Sequence, residues 1–387
     1  MGFYAVQIPK RVVFGDAVEG TIGAEAKGLG AKHIFLVTDE AIKKTGMIER
    51  VAKPLKEVAE VDVYANVPSE PTLAAAEAVA MAARRTKFEV VVGVGGGSVL
   101  DMAKVAAAAV ANPWQAVHEF LGANKIVNPS VPKLLLPTTA GTGAEATPYA
   151  LVIADGKKKA IASPYNLAEV IMLSPAFTAT MPPEVTASTG MDALSHAVEA
   201  FLSRGANPLT DSFALEAIRM IIANLEEVFV HGTNLQARLH MSLAAMLAGL
   251  AFGNAGVIAG HAAAHTVGAR YTIPHGVASA LALPYIMAFN AQDPVAQERL
   301  ALVAHEMGEE VRRLAQEEAA FKAVERVERL LETLKLPTRL ADLNVPEADV
   351  PQLAEALLAE KGYLARNPRN VASEEARALI ARMWHGK

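Results

Sequence analysis

The sequence predicts two domains of different class: an α/β half over residues 1–181 and an all-α half over residues 182–387. Three observations carry this. Short apolar runs alternate with Ala-rich stretches in the first half, whereas helical periodicity alone continues beyond Pro182-Pro183. The chain is also long enough, at 387 residues, for two or three domains of about 150 residues each.

The elements follow in order. Residues 33–38 (His-Ile-Phe-Leu-Val-Thr), 89–94 and 133–136 read as strands, and residues 72–85 and 98–111 as the helices beside them. Apolar runs without polar alternation suit parallel strands covered on both faces, so the first half should be a doubly wound sheet. Pro183 is suited to the first position of a helix, which makes Pro182-Pro183 the expected boundary. Charges crowd residues 306–335 as the solvated faces of later helices.

Composition narrows the chemistry. Hydrophobic residues make up 52% of the chain and charged residues 20%, which is the composition of a folding globular protein. Lys+Arg 36 against Asp+Glu 41 gives a net charge of −5, so the basic field that nucleic acid or an anionic membrane would reward is lacking. Cys 0 rules out disulfides, thiolate metal sites and cysteine nucleophiles, so any metal must use His, Asp or Glu. The first ten residues carry no apolar run behind a basic start, and a cytoplasmic location is expected. Residues 242–260 are uncharged over nearly the length of a membrane span, yet their Gly and Ala content reads as a buried helix breaking at Gly253.

Three segments of the first half could hold a nucleotide. The run Val90-Val91-Val92 enters Gly93-Val94-Gly95-Gly96-Gly97-Ser98 and then a helix, which offers Gly96, Gly97 and Ser98 to a phosphate. The pattern misses the G-x-G-x-x-G fingerprint at Ser98, and Ser98 with Asp101 reads equally as a capping box. Asp39 ends a strand where a carboxylate can take both ribose hydroxyls, or can simply cap the helix after it. This acid precedes the glycine turn, the reverse of an ordinary Rossmann half, and so suggests a different dinucleotide fold. The loop at 137–147 brings Thr138, Thr139, Thr142 and Thr147, whose hydroxyls could bond ribose and carboxamide groups or only brace the loop.

The second half carries candidate metal ligands. Asp192 and His196 are four apart in an Ala-rich helical stretch and share a face; His261 and His265 repeat the spacing, and His275 follows in a break. Spacing alone selects Asp192, His196, His261 and His265, with His275 spare. Three neutral imidazoles and one carboxylate would leave a divalent ion at net +1 with room for a substrate oxygen. Such an ion lowers an alcohol's pKa, and a metal-bound alkoxide can give up hydride. A nicotinamide site together with an open metal position points to alcohol oxidation.

These residues resemble the iron-containing (group III) alcohol dehydrogenases. The matching motifs are Gly95-Gly96-Gly97-Ser98 through Asp101 with Ala103-Lys104; Pro137-Thr138-Thr139-Ala140-Gly141-Thr142-Gly143 with Glu145; and Thr189-Gly190-Met191-Asp192-Ala193-Leu194-Ser195-His196-Ala197. Asn254-Ala255-Gly256, His261 with Ala264-His265, and Pro274-His275-Gly276 continue the match, which runs from Phe14-Gly15 to Asn367-Pro368-Arg369. The resemblance implies a dehydroquinate synthase-like architecture, with a dinucleotide-binding α/β domain, an all-helical metal-binding domain, a cleft between them, and assembly as a homodimer or higher homo-oligomer. It implies Asp192, His196, His261 and His275 as ligands, with Fe2+ first and Zn2+ or another divalent ion also fitting. His265 becomes a catalytic non-ligand near nicotinamide and substrate. Thr138, Thr139, Thr142, Thr147 and Lys158 fall at cofactor positions, Asp39 matches NAD-preferring members with NADP use left open, and Tyr149 and Phe252 fall at the alcohol pocket, though aromatic residues there also read as plain core. Ala144 replaces the family's usual Ser, and Ser174 its usual Asp before Pro175, a capping change.

The function expected is therefore an NAD-dependent, metal-dependent alcohol dehydrogenase for small primary alcohols or diols and their aldehydes. A glycerol dehydrogenase or a dehydroquinate-synthase-like enzyme of the same fold is the alternative, against which His196 argues. A cofactor-binding sensor or metal-storage module is the non-enzymatic one, and it leaves His265 without a role.

Overall fold

The computed structural model describes residues 4–386. Contacts divide the described chain into two compact units, one over Gln7–Thr180 and the other made of the remainder, Met181 onward with the few residues before Gln7.

In the first unit, six strands form one all-parallel sheet: β1 (Val12–Phe14), β2 (His33–Val37), β3 (Glu60–Tyr64), β4 (Val90–Gly95), β6 (Lys133–Pro137) and β9 (Val170–Leu173). Their spatial order is β1-β9-β6-β4-β2-β3. The three strands expected from sequence, β2, β4 and β6, are neighbours in the interior of this sheet, and they are apolar for the reason given: both faces are covered. Ile34, Leu36, Val90, Val92, Val94, Leu134 and Leu136 meet Ile22, Val51 and Leu55 of flanking helices on one face. On the other face the helix Gly97–Ala111 comes so close that a Cβ at Gly93 would lie 2.8 Å from that of Ala103. β1, β3 and β9 were not evident from sequence, nor was a small second sheet of β5 (Gly122–Ala123), β7 (Tyr149–Ala154) and β8 (Lys157–Ala162), in order β5-β8-β7.

The second unit is helical. Its central helix, Pro183–Leu202, opens with Pro183 as expected and is buried without interruption from Gly190 to Leu202. A helix apolar on every side belongs inside a bundle, and Gly190 shows how tightly it packs: a Cβ there would fall 2.2 Å from Leu225 Cδ1. The helix expected to break at Gly253 does not. It runs over Leu235–Ala255 and ends at Gly256, whose φ of 76° is the conformation only glycine adopts cheaply. Although this helix is long and apolar enough to cross a membrane, 67% of its most apolar window is buried, and it packs on Pro183–Leu202 and Pro208–Val230 as a core helix.

Candidate functional site

In the α/β unit the candidate residues gather at the carboxyl ends of adjacent strands. β2 connects outward to β3 while β4 connects to β6 on its other side, so the crevice between β2 and β4 is the sheet's switch point, where open α/β sheets bind ligands. Asp39 follows β2, and Gly96, Gly97 and Ser98 follow β4. The next loop, after β6, packs directly on that glycine turn. A Cβ at Gly97 would lie 2.9 Å from Thr142 Oγ1, and one at Gly96 3.6 Å from Thr139 Oγ1. Glycine is needed for close approach at Gly97, whereas at Gly96, whose backbone is extended, a Cβ would make ordinary contact.

Each polar candidate has a definite setting. Asp39 Oδ1 accepts from Ile42 N at 2.8 Å, the helix cap the sequence allowed. The capping box at Ser98 and Asp101 does not form, because the helix begins at Gly97 and its N-cap is Gly96, two residues before Ser98. Ser98 Oγ donates instead to Ser69 O, and Asp101 Oδ2 accepts from Leu151 N at 2.9 Å. Thr138 Oγ1 is buried and has no hydrogen-bond partner among the described residues. A buried hydroxyl left so is costly unless something else bonds it. Thr147 is occupied within the fold, donating to Ala144 O at 3.2 Å and accepting from Lys104 Nζ at 3.3 Å. Lys158, on β8, pairs with Glu70 at 3.3 Å. Ser174 caps the turn Pro175–Thr178, as its place before Pro175 suggested.

Sequence reasoning gave Lys104 no role, yet it is the hub of this unit. Fully buried, its ammonium donates to the carbonyls of Ala144 at 2.6 Å, Thr147 at 3.1 Å and Tyr149 at 2.5 Å, and lies 3.7 Å from Asp101. It ties the helix behind the glycine turn to the threonine loop. Burial draws its pKa down, while the charges of Asp101 and Glu145 pull the other way. Burial likewise pushes Asp101 up to about 6 and Glu145 up to about 7, with Lys104 opposing both shifts. Its spacing of three from Asp101 was the available signal.

In the helical unit, Asp192, His196, His261 and His275 each turn one donor atom inward, and the four atoms lie within 4.8 Å of one another. His196 Nδ1 is 3.8 Å from Asp192 Oδ2; His261 Nε2 and His275 Nε2 are 3.9 and 3.7 Å from Asp192 Oδ1. Asp192 and His196 come from Pro183–Leu202, His261 from Ala259–Tyr271, and His275 opens His275–Asn290. His265 is not in the group. One turn beyond His261, its ring lies 6.3 Å from that of His261, 5.1 Å from that of His275, and edge-on to Tyr363 at 5.3 Å.

The donors fit a divalent ion. Four ligands at about 2.1 Å in a tetrahedron stand about 3.4 Å apart, near the spacings seen here. Asp192 Oδ1 is buried with no hydrogen-bond partner among the described residues, as an atom kept for a cation would be. Nitrogen and carboxylate donors without sulfur suit iron(II), zinc or a neighbouring divalent ion. Phe252 stacks on the His196 ring at 4.2 Å and so borders the cluster, whereas Tyr149 starts β7 in the other unit.

Comparison with known proteins agrees with both halves. The family model described as iron-containing alcohol dehydrogenase matches residues 9–175, and the model for the C-terminal part of the same family matches residues 186–384. Long-chain-alcohol dehydrogenase 1 of Geobacillus thermodenitrificans is 37% identical over 366 residues, 94% of this chain and 92% of that one. The crystal structure of a 1,3-propanediol oxidoreductase superposes with a TM-score of 0.94 at 35% identity, over 99% of this chain and all of the other. The sulfoacetaldehyde reductase of Bifidobacterium kashiwanohense in complex with NAD+ superposes with a TM-score of 0.91 at 26% identity, covering 100% of both chains. By its two matched halves and these relatives, the chain is an oxidoreductase of the iron-containing alcohol dehydrogenase family.

Proposed function

We propose that this enzyme is an NAD-dependent alcohol dehydrogenase that uses one divalent ion per chain, Fe2+ in the first instance, to interconvert small primary alcohols or diols and their aldehydes. The observation that carries the reading is the convergence of one carboxylate and three imidazoles within 4.8 Å, one carboxylate oxygen having no hydrogen-bond partner in the described fold. A divalent ion supplies Lewis acidity to the alcohol oxygen, and NAD accepts the hydride.

The chain's own residues do the rest. Asp192, His196, His261 and His275 would hold the ion; Phe252, stacked on His196, would line the carbon chain of the alcohol, and Tyr149 takes the same role by its motif position alone. A ring nitrogen of His265 takes the hydroxyl proton and passes it to solvent. The balanced conversion would be alcohol and NAD+ to aldehyde, NADH and a proton. Asp39 would bind the adenosine ribose; Gly96, Gly97 and Ser98 would bind the pyrophosphate; and Thr138, Thr139 and Thr142 would bind the nicotinamide side of the cofactor. Thr147 would act indirectly, through its hydrogen bond from Lys104, and Lys158, paired with Glu70, would contact the cofactor. A cytoplasmic homodimer belongs to the same reading, and light scattering checks the assembly.

The relatives support the alcohol class while differing in substrate, from 1,3-propanediol to long-chain alcohols and sulfoacetaldehyde. A glycerol dehydrogenase-like or synthase-like reading is disfavoured by His196, which makes a four-donor set. The test is elemental analysis of the purified protein, followed by NADH absorbance with Fe2+-, Zn2+- and Co2+-loaded enzyme against methanol, ethanol, 1,3-propanediol, hexanol and glycerol. Reduction of NAD by one or more of the primary alcohols or the diol, dependent on a bound ion, is expected. Full activity after complete metal removal, or turnover of glycerol alone, would overturn the proposal.

A further inference from the structure

Glu199 stands three residues after His196 and seven after Asp192 on the helix Pro183–Leu202, so its side chain shares their face. It is 1% exposed. A buried carboxylate needs partners, and this one has three, all from the segment that carries His261. Oε2 accepts from Ile258 N at 2.8 Å and from His261 N at 3.2 Å, and Oε1 lies 2.7 Å from His261 Nδ1. The helix Ala259–Tyr271 has no side-chain cap of its own at Ile258, and Glu199 fills that place from a neighbouring helix. Gly260 keeps the space open, since a Cβ there would fall 2.4 Å from Oε1.

We infer that Glu199 is a positioning residue for the metal centre: it keeps the proton of His261 on Nδ1 and thereby presents Nε2, with its lone pair, to the site shared with Asp192. The inference rests on the metal reading proposed above. An ionised carboxylate can only accept hydrogen bonds, so the nitrogen beside it must carry the proton. The opposite nitrogen, Nε2, is the one 3.9 Å from Asp192 Oδ1. The opposite tautomer would direct an N–H into the donor cluster, where it could bind no cation. Partners of this kind orient a ligand imidazole and raise its basicity, and their loss commonly weakens metal binding 10- to 100-fold. Glu199 also changes the charge balance: with Asp192 it supplies two negative charges, the number that neutralises a divalent ion among neutral imidazoles.

Glu199→Gln separates this role from that of a helix cap. The amide oxygen can still accept from Ile258 N and His261 N, but its NH2 then faces Nδ1 and favours the wrong tautomer. Three measurements on metal-free protein decide the matter: Zn2+ and Co2+ affinity in competition with a chromophoric chelator, the thermal unfolding midpoint, and the His261 tautomer by long-range nitrogen NMR. Expected are an Nδ1-protonated His261 in wild type, an unfolding midpoint for the variant close to wild type, and metal affinity lowered about 10- to 100-fold. An affinity within about twofold of wild type, or an Nε2-protonated His261 in the wild-type protein, would overturn the inference. So would a loss of affinity accompanied by a large fall in the metal-free midpoint, which is what a purely structural cap predicts. If the variant does not fold, the wild-type tautomer decides alone. Stoichiometric metal binding by wild type with undiminished affinity in the variant refutes Glu199 only; a wild type that binds neither ion refutes the metal reading itself.

Discussion

Replacing Lys104 by Met tests how the α/β unit holds its candidate nucleotide loops. Met fills most of the same volume but removes the ammonium. The carbonyls of Ala144, Thr147 and Tyr149 would lose a donor at 2.6, 3.1 and 2.5 Å, and Asp101 its cation at 3.7 Å, all in a fully buried site. A buried acceptor left unsatisfied costs about 1–3 kcal/mol, and a buried pair broken on one side about 3–5 kcal/mol. These terms overlap, because one ammonium serves every partner and some carbonyls will find water, so we expect a total near 4 kcal/mol rather than the sum. At about 2–4 °C per kcal/mol for a domain of this size, the unfolding midpoint of this unit should fall by roughly 8–16 °C.

The pH dependence makes the argument specific. Asp101 is already held up to about 6 by burial, and Lys104 is the largest influence drawing it down. With the lysine gone, Asp101 should keep its proton to higher pH, and protonation relieves the unpaired charge. The penalty should therefore be smaller near pH 5.5 than near pH 8. In the proposed function the same loop binds NAD, so KM for NAD should rise about tenfold, with kcat within about twofold, the pattern of lost uniform binding. Differential scanning calorimetry at both pH values and steady-state kinetics measure all three. A midpoint at pH 8 within about 2 °C of wild type, which is less than 1 kcal/mol, would refute the account of Lys104 as the hub. A penalty that grows toward low pH would refute the part assigned to Asp101.

Burial pushes Glu145 up to about 7, so the folded unit keeps a proton that the unfolded chain releases near 4.5. That contribution is complete below 4.5 and is lost as pH rises through 7. Glu145→Gln, neutral throughout, should gain about 3 kcal/mol of stability relative to wild type across that window, and a pH-independent difference in denaturant titrations contradicts it. Asp39→Asn keeps an oxygen to cap Ile42 N while removing the charge, so the ratio of kcat/KM for NAD over NADP should fall about tenfold to a hundredfold; if neither it nor Asp39→Gly moves that ratio, Asp39 is a helix cap only. His265→Ala should retain its metal and lose about 10²- to 10⁴-fold in kcat, whereas His275→Ala should lose the metal. Equal metal loss in both variants would give His265 a ligand's role.

How much of this was legible follows from where each signal lay. β2, β4 and β6 could be read because strands covered on both faces are apolar throughout. β3 could not, since Glu60 and Asp62 interrupt it at the sheet's edge, and β8 begins with three lysines at the surface. Asp192 and His196 were readable because one helix turn fixes their relation. The choice between His265 and His275 was not, because spacing along a helix says which residues share a face and nothing about where the next helix starts. Thr272, at a φ of 55°, ends the helix Ala259–Tyr271 and turns the chain so that His275 meets Asp192. Such a turn at a β-branched residue has no pattern in sequence. Glu199 did leave a signal, seven residues after Asp192, but one acid in an Ala-rich stretch reads as an ordinary solvated position until its burial is known.

That burial bears on why the helix Pro183–Leu202 carries this polar stripe at all. Within a segment buried on every side, Asp192, His196 and Glu199 lie along one face, and among the described residues no lysine or arginine pairs with either acid. An uncompensated buried carboxylate is costly enough that proteins neutralise it or give it a counter-charge. The surrounding imidazoles can stabilise the acids as donors, but protonating several rings within a few ångströms of one another would replace one repulsion by another. A divalent cation meets the whole requirement at once: it offsets two negative charges, uses neutral imidazoles as ligands, and gives Asp192 Oδ1 its missing partner. Glycines on the neighbouring helices serve the same end. With Gly276 packed against the Ser188 carbonyl and Gly260 against Glu199, the helices that carry His275 and His261 come close enough to Pro183–Leu202 for side chains from three helices to reach one point.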